Sequence, residues 1–458
     1  MKEGISPALD KTWSSNLGAA SAAPRPIVTV VDAIALTVGI VIGAGIFSIP
    51  SLVAGNASSE WAVYLVWTLG GVISLVGALV YAELATAYPN AGGDYYFLTR
   101  AFGHRLAFLF GWARMSVIQT GSIAFPSFVF GDYAGRILPL GEYSSAIYAA
   151  LAVVVLTVVN ILGVRQGTGT QNLLTSLEVL GVILIIVAGI SVAAPPAAAA
   201  VSTASPSASS LGLMMVFVLL TYGGWNEAAY VSAELRDVRR NMSRVLLLSI
   251  LVITSLYLLI NWAYLHALGL GGLAGSQQVA ADVLNRTFGD RGAQIISVLV
   301  AISALTTANA SAFTGARSSY AFGRDFPLFG FLGRWSARTG TPVNALIVQG
   351  VIALALVFYG AFQRRGFESI AGYTAPVFWF FFLLTGVAFF VLRRKDSGME
   401  RPFRVPLYPV TPILFCLVCA YLLYSSLAYV GRDALYGAAV VVVGAVLLLF
   451  VHPIKGES

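Results

Sequence analysis

The chain has 458 residues, of which 58% are hydrophobic and only 10% charged, against about 25% charged in a typical soluble domain. No soluble fold hides that much apolar surface, and a mean hydropathy of +0.83 places most of the chain in lipid. The net charge of +7 does not by itself indicate nucleic acid, because in a membrane protein the placement of basic residues matters more than their sum.

In chain order, residues 1–26 carry no long apolar stretch behind a basic start, so they are not a signal peptide and read as a disordered cytoplasmic tail. Apolar runs of spanning length follow at 28–54, 62–87, 106–134, 144–163, 170–193, 210–232, 245–268, 292–315, 342–361, 369–392, 408–429 and 434–452. Each is about twice the length of a membrane β-strand and lacks strict alternation, which argues against a barrel. The predicted fold is an all-α integral membrane protein with about 12 transmembrane helices, since a helix satisfies its own backbone in lipid. Cys416 and Cys419 lie together in one apolar run without a second pair, and read as helix packing rather than a metal site.

Sorting Lys and Arg by alternate loops gives twenty on the side of the N-terminal tail and six on the other, with Arg114 alone inside a span. The positive-inside rule then places both termini in the cytoplasm of a multi-pass plasma (inner) membrane protein. The low-complexity Ala/Ser/Pro stretch between spans five and six is an outer linker, 194–209. It separates a first five-helix repeat, 27–193, from a second, 210–393, leaving helices 11 and 12 and a short tail at 394–458. Five is odd, so the halves begin on opposite faces, the condition for an inverted repeat.

The first span of each half contains glycines at its middle. Span one has Gly39, Gly43 and Gly45 with Pro50 beyond, and span six has Gly223 and Gly224 followed by Asn226 and Glu227. Matched glycine interruptions point to discontinuous helices at a binding site. An unwound helix offers free N–H groups and a positive dipole end to an anion on one side, and free carbonyls to a cation on the other. One break therefore suits a zwitterion. The competing reading is that these glycines are small-residue packing contacts, of which Gly39-x-x-x-Gly43 is a typical pattern.

The stretches GIVIGAGIF, AELATAYPNAGGDYYFLTRAFG, YGGWNEAAYVSAEL, ARSSYAFGRDFPLFGFLGRWSARTGTPVNA and RPFRVPLYPV resemble the amino acid, polyamine and organocation superfamily of permeases, and within it the L-type amino acid transporters. The resemblance covers residues 36 to 410. It implies the LeuT-type fold, a 5+5 inverted repeat with two peripheral helices. It also implies that the N–H groups of Ala44 and Gly45 hold a substrate carboxylate, that the carbonyls of Val41, Leu220 and Gly223 receive its amino group, and that Asn226 is the polar residue beside the second break. Ala44 departs from the serine common in relatives, and Leu220 from a gating phenylalanine, which shifts occlusion to aromatics such as Tyr222 or Trp225. Glu178 stands where sodium-independent relatives often carry a lysine. Facing the first break and Ser303, it would bind Na⁺ or carry a proton.

Glu178 lies about 13 Å into its span at helical rise, where a carboxylate is a functional candidate by default. The competing reading is a glutamate facing a local water pocket. Asp32 and Glu83 sit near span ends and are expected to cap helices or pair with loop arginines. Glu234 stands beside Arg236, Arg239 and Arg240, where a gating salt bridge is conceivable. Glu227 directly follows the second break and is a candidate for side-chain specificity.

The leading function is a secondary active transporter of amino acids, neutral ones by preference because Gly43 to Phe47 and Tyr222 to Asn226 carry no charge. The runner-up is a cationic amino acid or polyamine carrier of the same fold, for which Glu227 is the supporting residue. The chain lacks a P-loop. Its histidines, His104, His266 and His452, fall in loops or at span ends and no paired acidic metal site lies within a span, which disfavours an enzyme and predicts no cofactor. A channel would need repeated polar rings. The partners expected are a small amino acid, a coupling Na⁺ or H⁺ and lipid, but no nucleic acid. Oligomeric state stays open.

Overall fold

The computed structural model describes residues 28–451 apart from Ala44, Ala91, 163–167, 194–207, 233–234, 337–338, 340, 363–365 and 430. The N-terminal tail, most of the linker, Ala44 and Glu234 therefore lie outside the described residues. Among those described the chain is helical, with two isolated β-bridges, Val28 to Leu235 and Ser336 to Thr341. Each of the twelve apolar runs falls on a helix or a pair of helix segments. Among the described residues seven helices are long and apolar enough to cross a membrane, and an eighth crossing is made if the pair Val30–Val41 and Gly45–Asn56, bent by 45°, counts as one.

The first half comprises α1 (Val30–Val41), α2 (Gly45–Asn56), α3 (Glu60–Ala87), α4 (Asp94–Phe102), α5 (His104–Ala113), α6 (Gln119–Ile137), α7 (Ser144–Ile161) and α8 (Thr168–Ser191). A π-turn, Arg114–Ile118, joins α5 to α6; such single turns are rare and cluster at functional sites. The second half comprises α9 (Ala208–Tyr222), a 3-10 turn (Trp225–Val231), α10 (Val238–Gly275), α11 (Val279–Asp325), α12 (Val343–Ala361) and α13 (Gly366–Lys395), followed by α14 (Val410–Tyr429) and α15 (Arg432–Leu447). The interrupted pair α1 and α2 packs on α10, which also packs on α3 and α8, while α11 packs along α6 and α8.

Glycine and short polar side chains determine where these helices start and stop. Thr29 and Asp32 form a reciprocal capping box at the start of α1, with Asp32 Oδ2 accepting the Thr29 N–H at 3.1 Å; this satisfies orphan N–H groups that otherwise lack partners. α4, which the apolar runs did not reveal, starts and stops on Gly93 and Gly103, both at positive φ.

The end of the bundle carrying Thr29, α4 and the segment after α13 is rich in arginine, and its ion pairs are partly buried. Glu83, on α3, is fully buried and accepts from Arg393 at 2.6 and 2.7 Å, from Arg401 at 3.3 Å and from the Val405 N–H at 2.7 Å. Asp396 accepts from Arg100 at 2.8 Å and from the Tyr88 hydroxyl at 2.9 Å. Burial alone would raise the Asp396 carboxyl, but the hydrogen bonds and charge of Arg100 outweigh it and hold the group below the usual range. Arg239 and Glu400 pair at 2.7 Å in the open, where an ion pair contributes little. Removing one partner of a buried pair leaves the other charge uncompensated, so Glu83→Ala is expected to cost about 3–5 kcal/mol of stability. Thermal unfolding in detergent checks this; an unchanged midpoint would contradict it.

Candidate functional site

The two helix interruptions meet at one place. α1 ends with the Ile42 N–H closing on the Val38 carbonyl at 2.8 Å, and α2 restarts at Gly45. Gly43 lies between them, buried, where a Cβ would run into the side chain of Thr307. In the second interruption the Gly223 N–H donates to the Leu220 carbonyl at 3.0 Å, and the 3-10 turn opens with the Glu227 N–H on the Gly224 carbonyl at 3.0 Å. Gly224 has φ +109°, and a Cβ there would sit 2.9 Å from Ile40 Cγ2. This left-handed conformation and the close approach together require glycine.

Tyr257, in the middle of α10, ties the breaks together. Its hydroxyl donates to the Val41 carbonyl at 2.6 Å and lies 3.1 Å from the Thr221 carbonyl. Its ring packs edge-on against Trp67 and Tyr222. The resemblance implies that the Val41 carbonyl receives a substrate amino group; a carbonyl has two acceptor positions, and Tyr257 occupies one of them. Tyr257→Phe leaves the Val41 carbonyl without this donor, a loss of about 1–3 kcal/mol. Substrate affinity is expected to fall by about tenfold or more, measured by equilibrium binding, and a variant binding as tightly as the parent would refute the role.

A cavity of about 180 Å³ opens at this junction. The two breaks supply Val41, Gly43, Gly45, Leu220, Gly223, Asn226 and Glu227 to its wall. α6 adds Gln119 and Ser122, α11 adds Thr307, Ser311 and Thr314, and Phe125 and Phe378 contribute aromatic surface. The first N–H groups of α2 lack intrahelical acceptors and carry its positive dipole end. Asn226 Oδ1 is buried without a hydrogen-bond partner among the described residues. Beside this small polar set, Glu227 is the one charged side chain among the described lining residues.

Tyr222 and Trp225 do not line this cavity, contrary to their expected place at the site. The Tyr222 hydroxyl is turned to the Trp67 carbonyl at 3.0 Å, and Trp225 packs among Tyr81 and Phe382. Of the aromatics, Phe125 and Phe378 face the cavity instead.

Beneath the cavity, toward the arginine-rich end, Glu227 meets Arg114. Arg114 Nη2 lies 3.1 and 3.2 Å from the two carboxylate oxygens, its Nε lies 3.2 Å from Ser318 Oγ, and its guanidinium stands 4.5 Å over the Tyr230 ring. Arg114 is the first residue of the π-turn and is buried. Tyr230 in turn donates to Asp94 Oδ2 at 3.1 Å, while Asp94 Oδ1 accepts from Tyr81 at 2.5 Å and Thr385 at 3.2 Å. Burial pushes the Asp94 carboxyl above its usual range, against the opposing pull of the Tyr81 hydrogen bond and the Arg114 charge.

Glu178 and Ser303 lie apart from this cavity, behind the first break. Both are buried, and Ser303 Oγ donates to Glu178 Oε1 at 2.8 Å. The other oxygen, Oε2, has no hydrogen-bond partner among the described residues. The two residues share a cavity of about 20 Å³ with Phe47 and Thr306, room for about one water-sized guest. Thr175, one turn earlier on α8, packs against Gly39 of α1, so Glu178 is mechanically close to the broken helix.

A helical, multi-pass membrane bundle that gathers two helix interruptions around one small cavity, mostly apolar with a few polar groups, is a carrier of small solutes. Residues 28–448 match the family described as amino acid permease, and the chain belongs to that family, within the amino acid, polyamine and organocation superfamily and near the L-type transporters. It is 31% identical over 409 residues to the human b(0,+)-type amino acid transporter 1, covering 87% of this chain and 82% of the relative. It is 30% identical to the human large neutral amino acids transporter small subunit 2, with 91% and 79% covered, and 28% identical to the serine/threonine exchanger SteT of Bacillus subtilis (strain 168), with 86% and 90% covered. The chain is thus an amino acid permease, not an enzyme.

Proposed function

We propose that this permease moves small neutral L-amino acids across the plasma (inner) membrane by alternating access, as a secondary active transporter with both termini cytoplasmic. The observation that carries the proposal is the convergence of both helix interruptions on one cavity whose single charged lining residue, Glu227, is held by Arg114. A zwitterion then places its carboxylate on the N–H groups of Ala44 and Gly45, and its ammonium on the carbonyls of Val41, Leu220 and Gly223, with Asn226 beside it. The helix order supports twelve spans in a 5+5 inverted repeat, with α14 and α15 peripheral. Glu178 and Ser303 form the site for a coupling H⁺ or Na⁺, supported by the buried carboxylate oxygen that has no partner. The names of the relatives are compatible with neutral and hydroxylated substrates, and the b(0,+)-type relative with cationic ones.

A second reading, transport of cationic amino acids or amines, draws on the Glu227 carboxylate in the cavity wall. Uptake by purified protein in liposomes separates the two, using labelled neutral and cationic amino acids with imposed Na⁺ and H⁺ gradients and with internal substrate. Saturable uptake of neutral amino acids is the expected result. Stimulation only by internal substrate identifies an exchanger, and failure of every amino acid and amine under all conditions refutes the proposal.

A further inference from the structure

We infer that Arg114 is a specificity-determining residue: by holding Glu227 it keeps the cavity wall charge-balanced, and so excludes amino acids with a cationic side chain. The inference rests on the proposed transport of amino acids and concerns the side-chain end of the same cavity.

Three observations support it. Glu227 lines the cavity, yet both its oxygens lie 3.1–3.2 Å from one Arg114 nitrogen. Arg114 has little freedom to leave, since its side chain is 5% exposed, its Nε is held by Ser318 and its plane covers the Tyr230 ring. Beyond it, Asp94 accepts from the hydroxyls of Tyr81, Tyr230 and Thr385, and among the described residues the one ion pair of Arg114 is that to Glu227.

In a low-dielectric cavity the sign of the uncompensated charge decides which guest enters. A zwitterion adds no net charge to the balanced pair. A lysine-like side chain brings a second cation to within reach of Arg114, and gains Glu227 only by breaking a desolvated pair. Without Arg114, the same carboxylate becomes an unpaired anion in the wall, and a cationic side chain replaces the missing guanidinium. Without Glu227, Arg114 becomes the unpaired charge and favours an anionic side chain. Selectivity of this kind is set by the repulsive element as much as by the attractive one.

The test is competition against uptake of a labelled neutral amino acid in liposomes, comparing lysine, norleucine and 2-aminoadipate, side chains of similar length and different charge. In R114Q the inhibition ratio of lysine to norleucine is expected to rise about tenfold or more, the scale of one charge-assisted hydrogen bond. R114K, which keeps the charge, and the double variant R114Q/E227Q are expected to return the ratio to the parent value. In E227Q the ratio of 2-aminoadipate to norleucine is expected to rise on the same scale. A structural role alone would lower all three competitors together and leave the ratios unmoved. An unmoved ratio in whichever of R114Q and E227Q inserts, or a shift in the double variant equal to that of R114Q, overturns the inference. Absence of amino acid uptake by the parent protein would instead refute the proposed function.

Discussion

Replacing Gly224 with valine is expected to lower substrate uptake about a hundredfold while the protein remains monodisperse in detergent. At φ +109° a β-branched residue is a steric outlier, and its Cβ meets Ile40 Cγ2 at 2.9 Å and Val41 Cγ2 at 3.4 Å. Relief comes most easily by moving the two interruptions apart, because Ile40 and Val41 end the neighbouring broken helix. The backbone groups proposed to hold the two ends of a zwitterion then no longer fit one molecule, and a misplacement of about 1 Å in a preorganised site is worth about a hundredfold. Gly55→Val is the control, since nothing lies within 4 Å of a Cβ on Gly55. Initial uptake rates and size-exclusion profiles of both variants decide the matter; near-parental uptake by Gly224→Val would show that the breaks need not touch.

Replacing Glu178 with glutamine is expected to abolish ion-driven accumulation while exchange against internal substrate persists. The substitution preserves volume and an oxygen for Ser303 Oγ, which donates at 2.8 Å, so packing behind the first break survives. What disappears is the carboxylate charge and the oxygen that has no hydrogen-bond partner among the described residues, a group that can bind a proton or attract a cation. Under one-to-one coupling a tenfold gradient drives at most about tenfold accumulation, and in Glu178→Gln this falls to unity. Accumulation equal to that of the parent would assign Glu178 to a structural role.

Local signals in the sequence were enough to locate the interruptions. Gly224 stands where the backbone needs a positive φ and Gly43 where Thr307 packs too close for a Cβ, and the glycine pattern shows in the sequence without knowledge of that partner. Asp32 and Glu83 were legible as capping or ion-pairing residues for the same reason, although the identity of Arg393 and Arg401 as partners of Glu83 was not. Features created by long-range packing stayed hidden. Arg114 stood out only as a basic residue inside a span, because its carboxylate lies 113 positions away. Tyr257 gave no warning at all: a tyrosine in an apolar span reads as core, and its hydroxyl acquires meaning only when Val41 and Thr221 are brought to it across 216 and 36 positions. Tyr222 and Trp225 were expected in the cavity because they flank the second break, but each turns to partners far away in sequence, Tyr222 to the Trp67 carbonyl and Trp225 to Tyr81 and Phe382. α4 escaped notice because it is short and half-polar.

The central claim is that one molecule is held at both its charged ends by the backbone of the two interrupted helices. The most direct test compares the best-transported neutral amino acid with its carboxamide and its N-acetyl derivative as competitors of uptake in liposomes. Each derivative keeps the side chain and removes one charge. Both are expected to compete at least about tenfold more weakly than the parent amino acid, since each forfeits charge-assisted hydrogen bonds at one end. If either derivative competes as well as the amino acid itself, the corresponding end is not gripped by the breaks and the account is wrong.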